Sequence, residues 1–144
     1  MIFDHFDGLN WLAVLAATLA WYAFSTAWYS VPPMSTAWRA AAGIAPQERP
    51  PMSSLVTASL IMYFLATVVV ALVVAATGTD TALEGLALGA TFGLGFGVVG
   101  GIISQGVLQA YQLTEEKGGA YWLISFAHAI VGWSIATVIL AIWD

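Results

Sequence analysis

Cysteine is absent from the 144 residues, which removes disulfides and thiolate metal sites from consideration. Charge is nearly as scarce: 8% of the chain is Asp, Glu, Lys or Arg, against about 25% in an ordinary soluble domain. Only three residues are basic and the net charge is -5, so a nucleic-acid partner is not expected. No two carboxylates share an apolar segment, and no Ser-His-Asp set can be assembled inside one. Asp4-His5-Phe6-Asp7 is read as a solvated terminus rather than a cation site. The chain is therefore expected to be non-catalytic, with no cofactor and no bound metal.

What the sequence does have is apolar length. Hydrophobic residues make up 60% of it, and they gather into four segments near Leu9–Val31, Ser54–Ala76, Ala82–Tyr111 and Ala120–Trp143. Each reaches the roughly 20 residues that a helix needs to cross a bilayer core about 30 Å thick. Within them the one charged residue is Glu84, in the first turn of the third. The expected fold is an all-α integral membrane protein, a four-transmembrane-helix antiparallel bundle forming a single domain over residues 1–144. The residues before the first span carry Asp4 and Asp7 but no Lys or Arg, unlike a secretory signal, so that span is expected to be retained.

Arg39 and Arg49 lie between spans one and two, and Lys117 lies between spans three and four. The positive-inside rule makes that side cytoplasmic and puts both termini outside an inner membrane. Trp11 and Trp143 then belong to the outer interfacial belt, Trp28 and Trp122 to the inner one. Pro32 and Pro33 end the first span. A short helix is expected from Met34 to Ala42, stopped by Gly43 and lying in the inner interface. Ala45–Pro51 reads as a brief linker. Gly78 ends span two, and Thr81-Ala-Leu-Glu84 is a capping box that starts span three. Short turns imply that spans two, three and four are neighbours.

Two patterns point to how the bundle is built. Gly85, Gly89, Gly93, Gly97 and Gly101 recur every fourth residue, leaving a groove without side chains along one helix face. In lipid such a groove lets two backbones approach closely. It could serve a neighbour in the same chain and a second chain in turn, so self-association, or association with another membrane protein, is expected besides contact with the lipid bilayer. Span three has 30 residues, about 45 Å at 1.5 Å per residue, so a tilt or a bend at Gly100-Gly101 is expected.

The second pattern is polar. His128 is the sole ionisable side chain well inside a span. Gln105 lies 11 residues before Glu116 in the connecting turn and His128 lies 12 after it, which puts them at similar depth. Ser104, Ser125, Tyr22, Ser25 and Tyr63 fall near the same level, with Thr26 and Ser59. This layer reads as hydrogen-bonded glue, in which His128 pairs with Gln105, Ser104 or a hydroxyl of span one. The alternative is the site of an oligomeric channel or transporter for a small solute or protons, since ionisable groups in membranes are functional candidates.

Trp21-Tyr22 recurs seven residues later as Trp28-Tyr29, followed by Ser30, Pro32 and Trp38. The segment resembles the Trp-Tyr-Ser-Pro motif, with another tryptophan shortly after it, at the end of the first span in an uncharacterised family of small bacterial four-helix membrane proteins. Val31 intervenes before the proline here. The resemblance implies a four-span fold and brings no catalytic residues with it.

Overall fold

A computed structural model describes residues 1–44, 52–111 and 117–143, with the backbone alone for Phe3 and residues 52–58. The linker at 45–51 and the centre of the last turn lie outside these residues. Every element among them is helical: a 3₁₀ turn at Ile2–Gly8, α1 (Trp11–Ser30), α2 (Met34–Ala42), α3 (Met52–Thr77), α4 (Ala82–Phe92), a π-helical segment (Gly93–Val99), α5 (Gly100–Ala110) and α6 (Gly119–Ile142). Four helical stretches are long and apolar enough to cross a membrane: Trp11–Ser30, Ser59–Thr77, Ala82–Ala110 and Gly119–Ile142.

The ends of these helices follow from local chemistry. Asn10 accepts a hydrogen bond from the Ala13 amide at 3.1 Å, satisfying one of the orphan donors that open α1. At its other end the chain turns at Pro32-Pro33, joined by a cis peptide, and α2 follows directly. Gly43 closes α2 at φ +72°, a left-handed conformation that a side chain would strain. Thr81 and Glu84 form the reciprocal box: the Glu84 amide donates to Thr81 Oγ1 and the Thr81 amide to the Glu84 carboxylate, both at 3.3 Å.

The last span, α6, is the hub, packing against α1, α2, α3, α4 and the π segment. Its face toward α1 is a ladder of residues four apart. Trp21 of α1 lies over Gly132, where any Cβ would strike the indole ring. Ser25, one turn along α1, meets His128, one turn along α6. The buried core continues through Ala13, Val14, Ala17, Val70, Ala71, Leu72, Ala136 and Leu140.

The opposite face of α6 takes the glycine groove. A Cβ on Gly85 would lie 2.9 Å from both the Thr137 carbonyl oxygen and Val138 Cα, and one on Gly93 would lie 2.5 Å from Ile130 Cα. A Cβ on Gly89 would collide with Ser134 Cα and Thr137 Oγ1, and one on Gly97 with Ala129 Cβ. Gly101 is different, with only Phe126 Cε1 at 4.0 Å. Span three thus packs on span four, while α3 and α4 do not form an extensive contact despite their short connection. The short turn makes α3 and α4 neighbours in sequence, but the contact goes to the α6 surface that the glycines fit.

The irregularity in span three runs over Gly93–Val99, and Gly100-Gly101 sits in regular α-helix. Gly93, Gly95 and Gly97 explain the displacement, since each weakens the α-helix by about 1 kcal/mol relative to Ala. The irregularity has a geometric benefit. Glycines four apart overshoot a full α-helical turn by about 40° per step. Where bonds run to the fifth residue, more than four residues fill a turn and the same step falls short. The overshoot accumulated from Gly85 to Gly93 is offset, and Gly97 remains against α6.

Replacing Gly89 with Leu is expected to destabilise the fold by more than the roughly 1–3 kcal/mol of ordinary overpacking, because the obstruction is backbone. Gly95, which faces open space, is expected to accept Ala with little loss. Thermal unfolding in mild detergent reads both, and equal midpoints for the two variants would contradict the packing described.

Candidate functional site

The polar residues gather in the half of the bundle that also carries α2 and Lys117. His128 Nε2 and the Ser25 hydroxyl share a hydrogen bond of 2.9 Å, joining α6 to α1. Ser25 is 5% exposed, so the bond is shielded from competing partners. Three aromatic rings from α1 surround the imidazole. Phe24 stacks on it at 5.5 Å with the planes 8° apart, while Tyr29 lies at 4.7 Å and Trp28 at 6.0 Å, both tilted. Tyr63 of α3 reaches the same place, its hydroxyl beside Ser25, and its ring packs on Trp21 and Tyr22. The Tyr29 hydroxyl lies beside Ser125. His128, Ser25, Ser125, Tyr22 and Tyr63 are therefore drawn together, with α1 supplying most of the walls.

Two expected members stand apart. Ser104 is exposed on α5 and donates to the Gly101 carbonyl of its own helix at 3.0 Å. Gln105 does not reach His128, and its buried Oε1 has no hydrogen-bond partner among the described residues. Similar depth was the right inference for a straight hairpin. Beyond the π segment, however, α5 makes no extensive contact with α6, so residues level with each other do not meet. Thr26 is exposed as well, and Ser59 is half-buried.

The rings around the imidazole are the part that sequence reasoning missed. Their signal was the repeat of Trp21-Tyr22 as Trp28-Tyr29, which reads as interfacial anchoring until the partner helix is known. Residues Trp21, Phe24, Ser25, Trp28 and Tyr29 fall at helical spacing, so they form one stripe. Gly132 belongs to it too, since it makes room for Trp21 one turn from His128. The indole nitrogens of Trp21, Trp28 and Trp38 are buried without acceptors among the described residues.

Chemically, this arrangement holds helices together. Toward the end that carries the termini, the buried threonines bond within their own helices. There Thr18, Thr67 and Thr137 are 0–2% exposed, and each donates to a carbonyl of its own helix at 2.8–2.9 Å. Ser134 lies at the same level, its buried hydroxyl without a partner among the described residues.

A family model described as a protein of unknown function, DUF1761, matches residues 12–141. Neither the curated proteins nor the solved structures include a match. The matched stretch takes in the four apolar spans, short of Trp11 and Ile142 at their outer ends, and the whole polar cluster.

Replacement of His128 by Leu is expected to strand the Ser25 hydroxyl and to lower stability by about 1–3 kcal/mol, whereas Gln retains a partner for it and loses less. In a double-mutant cycle with Ser25→Ala, the coupling should fall at about 0.6–2 kcal/mol. Additive effects in detergent unfolding would remove the bond from the account of stability.

Proposed function

We propose that this chain, which belongs to the DUF1761 family, is a non-catalytic multi-pass protein of the inner membrane that works by helix packing as a homo-oligomer. The four spans form an antiparallel bundle with both termini outside, and α2 lies in the inner interface. The supporting charges sit at one end: Lys117 Nζ donates to the Ala42 carbonyl at 3.0 Å, across 75 residues of sequence, beside Arg39 in the last turn of α2. Met34 and Trp38 of α2 are half-buried, in keeping with an amphipathic helix at the boundary.

One observation carries the oligomer. α5, the half of span three beyond the π segment, has no buried residue, although it bears Gln105, Gln109 and three glycines. Gly101, Gln105 and Gln109 share a face on which each is only half-buried. In hydrocarbon an amide without partners is costly, and small residues beside it invite a second helix. A second copy suits the need because an amide both donates and accepts, so a face that carries two glutamines is complementary to itself across a two-fold axis.

With cysteine absent from the parent, Ser104→Cys places a single thiol on α5. In membranes this variant is expected to form a disulfide-linked dimer under mild oxidation, and Leu83→Cys in α4 is expected to remain monomeric. Adding Gln105→Leu should reduce the dimer several-fold. A crosslink to a chain of different mass would reassign the protein as an accessory subunit. A single-chain mass by native mass spectrometry together with no crosslink from α5 would end the oligomer reading.

A further inference from the structure

At the end that carries the termini, a cleft of about 520 Å³ opens into the core between α1, α3 and α6. That is the size of a small-molecule site. Its accessible apolar wall is Val74, Ala75 and Leu140, and Ala13 and Val14 lie beneath it in the closed core. Its rim is polar, with Asn10, Thr79 and Asp80, and Trp143 stands at one side.

The rim is rich in acceptors. Asn10 Oδ1 already caps α1, and the Thr79 hydroxyl is engaged with Thr77 at 2.7 Å. Among the described residues the Asp80 carboxylate has no partner. α3 and α6 both end at this cleft, so their C-terminal carbonyls add partial negative charge to it. Asp4, Asp7 and Glu84 lie at the same end, which carries no Lys or Arg among the described residues and where the amino terminus is paired with Asp4. Trp143 offers an aromatic face, which attracts a cation most strongly when the cation is poorly hydrated.

We propose that this cleft binds an organic ammonium group: the cation lies between Asp80 and Trp143, and its apolar substituents rest against Val74, Ala75 and Leu140. The chemistry is shared by free small amines and by the amine headgroups of lipids. The cleft is separate from the His128 cluster and from the α5 face, and it does not depend on the oligomer.

Purified protein is titrated calorimetrically with tetramethylammonium and with ethanolamine, and 3,3-dimethylbutanol serves as an uncharged body of similar shape. Saturable binding of an ammonium probe is expected, at least tenfold weaker in Asp80→Asn and weaker again in Trp143→Ala, with His128→Gln unchanged. In parallel, protein in nanodiscs of phosphatidylglycerol doped with phosphatidylethanolamine is assayed for enrichment of the amine lipid. Enrichment that Asp80→Asn removes, without binding of the soluble probes, assigns the site to a headgroup, and the converse assigns it to a free amine. Asp80 is exposed, so its replacement leaves the core intact. Equal affinity for the uncharged alcohol, an Asp80→Asn variant that binds like the parent, or no saturable binding in either arm would overturn the proposal.

Discussion

Helices in lipid gain nothing by hiding apolar surface from one another, because the acyl chains around them are as apolar as leucine. What holds them is closeness of approach, and here that closeness is set by the contact between the glycine groove of span three and the backbone of α6. At Gly85, Gly89 and Gly93 a single added carbon would meet main-chain atoms, which cannot move aside as a side chain can. With α4 held there, α6 presents its other face to α1, and Gly132 repeats the device by admitting the Trp21 indole. The buried core then lies between α1, α3 and α6, and the polar cluster lies just beyond it.

The two halves of the bundle use polar groups differently. Toward the termini, threonines turn back on their own helices, and the space between helices is left to alanine, valine and glycine. Toward α2, the polar groups bond across helices and the packing loosens, with no buried residue in α5. One half supplies rigidity through shape. The other supplies specificity through pairs that fix the rotation of α1 against α6, because Ser25 and His128 meet in one register only.

Much of the fold could be read from sequence, for reasons that are local. Apolar length gave the spans, Gly43 gave the end of α2, and Thr81 with Glu84 gave the start of α4. The glycine spacing announced a close contact but not its partner, since a groove without side chains carries no information about what fills it. Depth counting placed His128 and Gln105 at one level and failed to pair them. It assumes a straight hairpin, and beyond the π segment α5 makes no extensive contact with α6. The imidazole's true partner, Ser25, is 103 residues away, and no local pattern links the two.

That α6 is the hub has a consequence for synthesis. Trp21 is made 111 residues before Gly132, a delay of roughly 5–20 s at ordinary elongation rates. During that interval the first three spans sit in the membrane with the indole, the Ser25 hydroxyl and the glycine groove all lacking their counterpart. The early spans therefore lack part of their packing in that interval: α1 can meet α3, but span three has no surface to fit until α6 is made. A chain cut short before residue 119 contains every apolar residue of α1, α3 and α4, yet lacks the surface that the glycines of span three fit.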